Sequence, residues 1–169
     1  MTQEFPPGAH PLQSAVLTFE TEYEGRRSRR MSEVAIRLLL TPEAPVSWEL
    51  ATAAGDDVRL PRDDEIVGFG TDGAAGAFAD ASGWDVLADR YRRYLDEEDD
   101  DAGETLDEGY LRTTDEVTSG DLVSFLTEGD GTLPVWLGRS RTGDPVSVVV
   151  VTDWLPGLRL LGAADVSSG

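Results

Sequence analysis

Carboxylates are the only abundant side chains in this sequence that can do chemistry. The 169 residues contain 33 aspartates and glutamates, 14 arginines, no lysine, no cysteine and one histidine, His10. Without cysteine there is no thiol nucleophile and no cysteine-ligated zinc or iron–sulfur centre. Without lysine there is no Schiff base and no Gly-Lys-Ser/Thr phosphate loop. We interpret His10 as a loop histidine, and the remaining groups favour binding over catalysis.

Four aspartates are the candidate metal ligands. Asp72 and Asp80 flank a glycine-rich turn, and Asp130 and Asp153 interrupt the strand-like final third. Converging carboxylates bind calcium or magnesium, or act as an acid and base on a substrate. Alternatively, Asp72 and Asp80 accept hydrogen bonds from turn and helix-start amides. A carboxylate-dependent metal-binding protein or hydrolase is therefore our alternative function.

A Gly-x-Gly-x-x-Gly pattern spans residues 68–73. Dinucleotide binding needs a helix that begins at this turn, so that its amides meet the pyrophosphate. Here the predicted helix begins only near residue 80. We interpret the glycines as turn residues and predict no cofactor.

Two charged clusters are candidate partner-binding sites. The acidic run comprises Asp96, Glu97, Glu98, Asp99, Asp100 and Asp101, and the basic cluster comprises Arg26, Arg27, Arg29 and Arg30. The acidic run is either a solvated loop or a surface that attracts a cationic or nucleic-acid-binding protein. The arginines either pair with nearby acids of the same molecule or bind phosphate or an acidic partner.

The net charge of −19 makes a basic protein the expected partner. Such a chain repels nucleic acid and anionic lipid, although the charge can also serve solubility alone. No apolar run approaches the roughly 20 residues of a membrane span, and the first 11 residues do not read as a secretory signal. With no cysteine, we expect a cytoplasmic protein.

Alternating residues predict several strands. They cover 12–23, 32–40 and 46–50, with shorter strands at 66–69 and 77–79. We expect the first two to form a hairpin through a turn at 25–30. Residues 1–11 are expected to be extended.

One helix is predicted over 81–96. Asp80 or Ser82 can cap it, Ser82 and Asp85 approximate a capping box, and Leu87 lies on its apolar stripe. Residues 96–116 are expected to form an acidic loop, with a helical turn near Tyr110.

The final third predicts a three-strand meander over 121–127, 133–138 and 146–154, before a frayed tail at 162–169. Together these elements predict one α+β domain over 1–169, with mainly antiparallel sheet and one helix packed on it. The candidate core residues are Leu17, Phe19, Ile36, Leu38, Trp48, Phe69, Phe78, Leu87, Tyr91, Phe125, Trp136, Val148 and Val150.

Three ordered segments resemble a known family. They are Phe5–Pro11 before a strand, 67–80 before the helix, and 129–139 before a valine-rich strand ending at Trp154. The chain resembles the bacterial family catalogued as domain of unknown function 4241. The resemblance implies an α+β fold and no established activity. The matched positions are interpreted as structural: Gly8, Gly70, Asp72, Phe78, Asp80, Gly129, Gly131, Pro134 and Gly138.

The chain departs from the family pattern in two expected ways. We expect it to lack an N-terminal stretch that many members carry, and its 96–116 segment to be more acidic than theirs. By analogy with small acidic families that neutralise toxins, the expected function is a non-catalytic protein-binding module, an immunity-like inhibitor of a cationic toxin.

Overall fold

The computed structural model describes residues 5, 8–52, 67–96, 99–107 and 109–153. The chain divides into two compact units: unit 1 comprises Met1–Gly70 and Thr132–Gly169, and unit 2 comprises Thr71–Gly131. Within the described residues, no helix is both long enough and apolar enough to cross a bilayer.

Unit 1 contains a five-stranded antiparallel sheet. In sheet order its strands are β1 (Leu12–Tyr23), β2 (Arg26–Leu39), β11 (Pro145–Val151), β10 (Val135–Arg139) and β3 (Ser47–Leu50). Residues 146–151 of β11 are all buried. A central strand covered on both faces reads as a continuous apolar run, and the valines of β11 form such a run.

The β1–β2 hairpin is confirmed, and β1 has the predicted bounds. Its turn is tighter than expected, because Glu24 and Gly25 both have positive φ, 50° and 75°. This geometry matches the twist of a two-residue hairpin loop. The prediction that the arginines lie in the turn is therefore wrong: β2 begins at Arg26, and the whole cluster lies on the strand.

Unit 2 contains a four-stranded antiparallel sheet and the helix. The strands, in sheet order, are β5 (Ala75–Ala79), β8 (Gly120–Leu126), β7 (Tyr110–Asp115) and β6 (Glu104–Asp107). Helix α1 (Trp84–Leu95) follows a 3₁₀ turn, Ala81–Gly83, and packs on β7 and β8. Leu87 and Phe125 are buried, and the Phe125 ring lies 5.6 Å from that of Phe78.

The predicted acidic loop over 96–116 is wrong for most of its length. A 3₁₀ turn at Asp100–Ala102 is followed by β6 and β7, and the predicted helical turn near Tyr110 is strand. Thr113 and Asp115 of β7 are buried. Acidic residues are tolerated here because Glu104 on β6 is exposed, and the buried carboxylate of Asp115 accepts hydrogen bonds from neighbouring residues.

The predicted strands of the final third are present, but they do not form one meander. The β10–β11 hairpin is confirmed, whereas β8 pairs with β5 and β7. Between β8 and β10 lies a short strand, β9 (Gly131–Leu133), which pairs with β4 (Phe69–Thr71). This extra pairing takes the chain out of the unit 2 sheet, so the expected β8–β10 pairing is wrong.

The α+β class, with mainly antiparallel sheet and one helix on it, is confirmed. Among the candidate core residues, the structure buries Ile36, Leu87, Phe125, Val148 and Val150. Leu17 and Phe19 are 40% and 41% exposed, so their assignment to the core is wrong. The tail at 162–169 and the end of the last predicted strand, at Trp154, lie outside the described residues.

Candidate binding surfaces

The β1–β2 hairpin has two exposed faces of different chemistry. Directly opposite residues of an antiparallel pair lie on the same side of the sheet. The register of the two strands therefore defines both faces. The arginine–aromatic face comprises Leu17, Phe19, Thr21, Tyr23, Arg26, Ser28, Arg30 and Ser32. The glutamate face comprises Val16, Thr18, Glu20, Glu22, Arg27, Arg29, Met31 and Glu33.

The four clustered arginines are split between these faces. Arg27 lies opposite Glu22, with 4.0 Å between the guanidinium Nε and a carboxylate oxygen, and Arg29 lies opposite Glu20. Arg26 and Arg30 lie instead opposite Tyr23 and Phe19. The cluster is therefore not one basic patch, because half of it faces glutamates.

Part of the acidic run is folded against helix α1. The backbone N–H of Asp96 donates to the carbonyl of Arg92 and ends the helix. Asp99 accepts from the amide of Asp101 at 3.2 Å, and its carboxylate lies 3.5 Å from the guanidinium of Arg93. Glu97 and Glu98 lie outside the described residues. The acidic run therefore has several local roles: Asp96 ends the helix, Asp99 forms an ion pair, and Asp101 lies in an exposed turn.

The glycine-rich pattern at 68–73 runs through strand β4 into a turn, and a carboxylate holds that turn. The Asp130 carboxylate accepts from the amides of Gly73 and Ala74, at 2.6 and 2.8 Å. These two hydrogen bonds hold the pKa of Asp130 below its ordinary value. The turn leads into strand β5 and not into a helix. Asp130 occupies both amides. The interpretation of the glycines as turn residues is confirmed for Gly73, but it is wrong for Gly70, which lies on β4.

Asp80 and Asp153 also have local partners. Asp80 caps the 3₁₀ turn before α1, because its carboxylate accepts from the hydroxyl and the amide of Ser82, at 2.7 and 2.8 Å. Those bonds lower its pKa. The predicted Asp80 cap is therefore confirmed, whereas α1 itself has Gly83 at its cap position and no side-chain capping box. Asp153 accepts from the Ser32 hydroxyl at 3.0 Å.

The three candidate aspartates of unit 2 do not form a metal site in the described part of the chain. Asp72, Asp80 and Asp130 belong to unit 2, and Asp153 belongs to unit 1. Within the residues that the structure describes, no group of three or more acidic or histidine side chains has the geometry of a metal site.

Asp115 was missed by the sequence reasoning. Its buried carboxylate accepts from the hydroxyl of Thr118 at 2.6 Å and from the amides of Thr118 and Val117. The Thr118 hydroxyl is the largest cause of its lowered pKa, and the positive charge of Arg90 contributes. An Asp-x-x-Thr pattern before a strand is a turn signal that could have identified it.

A shallow cleft of about 370 Å³ opens beside the start of α1. Its polar lining comes from Ser82, Asp85, Asp115 and Thr118. Asp115 and Thr118 are already bonded to each other, and Ser82 is bonded to Asp80. The polar groups therefore stabilise the turns around the cleft, and we assign it no ligand.

The comparisons with known proteins identify a family and no function. The family model described as "Protein of unknown function (DUF4241)" matches residues 1–150. No curated protein and no solved structure matches the chain. The match covers most of the sequence and confirms the resemblance carried by the three ordered segments, so this chain belongs to the DUF4241 family.

Proposed function

We propose that this protein is a non-catalytic, cytoplasmic binding module whose acidic unit 2 docks on a basic protein. The supporting observation is the uneven charge. Unit 2 contains 18 acidic residues and four arginines, a net charge of −14, whereas the rest of the chain has a net charge of −5. A surface of one dominant sign steers an oppositely charged partner and raises its association rate.

Exposed carboxylates of unit 2 are available for such docking. Asp101, Glu116 and Glu128 are exposed, and the described residues show no hydrogen bond or ion pair to their side chains. Neutralising them therefore changes the field around unit 2 without breaking a described contact. The closest functional analogy is an immunity protein that covers a cationic toxin, and this is the finer form of our proposal.

The alternative function, a metal-binding protein or hydrolase, is less well supported. Asp80, Asp130 and Asp153 already accept hydrogen bonds from neighbouring residues. Asp80 serves as a cap, Asp130 holds a turn, and Asp153 accepts a hydrogen bond at a strand end. These local roles account for the three carboxylates, so no observation favours this alternative.

The proposal is tested by capture of the partner from the native cell and measurement of its affinity for the purified protein. The test variant combines Asp101→Asn, Glu116→Gln and Glu128→Gln. We expect the partner to be basic and its Kd to rise about tenfold in this variant, since each exposed charge contributes roughly 0.5 kcal/mol.

A matched control removes three exposed carboxylates from unit 1 instead, through Glu20→Gln, Glu24→Gln and Glu43→Gln. It changes the net charge equally, and its Kd should rise less than about threefold because the carboxylates of unit 2 are unchanged. Equal losses in the two variants, or an acidic partner, would overturn the proposal.

A further inference from the structure

The arginine–aromatic face of the β1–β2 hairpin combines exposed apolar side chains with two arginines, and the Asp153 carboxylate is bonded to Ser32 at its end. Tyr23 is 70% exposed, and Leu17 and Phe19 are 40% and 41% exposed. None of the eight residues of this face is acidic, although the whole chain contains 33 acids. Within the described residues, neither Arg26 nor Arg30 has a carboxylate within ion-pair distance. Contiguous exposed apolar surface of this kind marks interaction sites.

The hairpin extends beyond the sheet from which it starts. Strand β11 pairs with residues 35–39 of β2, whereas in the described part of the chain residues 26–31 pair only with β1. A two-stranded ribbon of this kind is marginally stable alone. Covering its apolar face with another polypeptide would remove that surface from water and stabilise the ribbon.

We propose that the arginine–aromatic face is a second binding surface, which takes an acidic protein segment that also bears apolar side chains. Leu17, Phe19 and Tyr23 supply the apolar contacts. Arg26 and Arg30 supply two planar guanidinium groups beside them, and these bind carboxylates in a bidentate manner. The surface belongs to unit 1, whereas the carboxylates of the proposed function belong to unit 2.

Charge selects a protein over a nucleic acid or a membrane as the occupant. Two arginines neutralise few phosphates, and the net charge of −19 repels a polyanion at long range. A short protein segment needs only one or two carboxylates to pair with the arginines, and its apolar side chains contribute the rest of the binding free energy.

The area of the face sets the expected affinity. Seven residues on each of two paired strands cover about 23 by 10 Å, or roughly 230 Å². This area is well below the roughly 800 Å² per partner of a standard interface. We therefore expect micromolar affinity.

The test places a photo-crosslinking residue on each face of the same hairpin. The variants are Tyr23→p-benzoylphenylalanine on the arginine–aromatic face and Met31→p-benzoylphenylalanine on the glutamate face. The two positions are matched, since their side chains are 70% and 74% exposed. In the native cell we expect at least about tenfold more protein adduct from position 23, and mass spectrometry should place it on a segment with acidic and apolar residues.

Two matched arginine variants complete the test, each carried in the Tyr23 crosslinker background. Arg26→Gln with Arg30→Gln should lower the adduct yield about tenfold, whereas Arg27→Gln with Arg29→Gln should lower it less than about twofold. All four positions are exposed, so we expect unchanged melting temperatures.

Equal yields from the two faces, equal effects of the two arginine pairs, or no protein adduct would overturn this inference. Adducts to nucleic acid, to lipid or to a second copy of the chain would also overturn it. The unit 2 variant with Asp101→Asn, Glu116→Gln and Glu128→Gln should leave the adduct unchanged, which separates failure of this surface from failure of the proposed function.

Discussion

At the residue scale, the three glycines of the 68–73 pattern have different roles. A Cβ on Gly68 would lie 1.8 Å from the carbonyl oxygen of Leu133, whereas a Cβ on Gly70 meets no atom within 4 Å. Gly73 has φ of +113°, a conformation that other residues rarely adopt. The pattern therefore reflects one close backbone approach and one turn, rather than a single phosphate-binding device.

Gly68→Ala and Gly70→Ala form a matched pair that tests these roles. We expect Gly68→Ala to lower the free energy of unfolding by about 3 kcal/mol or more, because the clash is with backbone and cannot be relieved by a side-chain rotation. Gly70→Ala should change it by less than about 0.5 kcal/mol. Urea denaturation of both variants checks this, and similar losses would contradict it.

Asp130 gives a prediction about pH. The amides of Gly73 and Ala74 lower its pKa in the folded protein. Such a carboxyl adds stability above its unfolded pKa of about 3.9 and loses it as the pH falls through the lower folded value. The loss in unfolding free energy caused by Asp130→Asn should thus be largest at neutral pH and shrink as the pH falls below about 3.9.

Urea titrations of the wild type and of Asp130→Asn between neutral and acid pH measure this difference. Asp72→Asn is the control, because it leaves both amide bonds to Asp130 in place. A loss for Asp130→Asn that is independent of pH would show that the charge of Asp130 does not hold the turn.

Sequence reasoning at this scale succeeded where the interaction is local. The Asp80 cap involves a residue only two positions away and was predicted. The bonds from Asp130 span 56 and 57 positions, so no local pattern indicates them. Asp115 was missed although its bonds are local, because it lies in a strongly acidic stretch that was interpreted as a loop.

At the element scale, the hairpin shows what alternation does and does not predict. Alternating residues gave the bounds of β1 correctly, and the same pattern placed Leu17 and Phe19 in the core. The pattern reports that one face of the strand is apolar. It does not report whether the fold covers that face, and along the hairpin both side chains are partly exposed.

Helix α1 offers a test of how unit 2 is held together. Leu87 is fully buried, and Val86 beside it is 49% exposed. We expect Leu87→Ala to lower the free energy of unfolding by about 2–5 kcal/mol, through lost burial and an unfilled cavity. Val86→Ala should change it by less than about 0.5 kcal/mol. Chemical denaturation measures both, and a small loss for Leu87→Ala would contradict the assigned helix face.

At the scale of the whole molecule, strand pairing was the least predictable feature. The individual strands of the final third were largely anticipated, but β8 joins a different sheet from β10 and β11. Turn residues such as those at 129–131 indicate that the chain reverses. They do not specify which strand it meets next, because that choice depends on contacts distant in sequence.

The prediction of one domain over 1–169 can be tested through cooperativity. If the two units fold as one domain, thermal unfolding followed by near-UV and far-UV circular dichroism should give coincident single transitions. The Leu87→Ala variant should lower that single midpoint. A separate early transition in this variant, with the unit 1 signal unchanged, would show instead that unit 2 unfolds independently.

We propose that the net charge of −14 on unit 2 attracts a basic protein. The most direct measurement is the association rate constant with the captured partner as a function of salt concentration. The electrostatic account predicts a fall of about tenfold or more between 20 and 300 mM salt, with little change in the dissociation rate, because added salt screens long-range attraction. An association rate constant that does not change with salt would contradict the account.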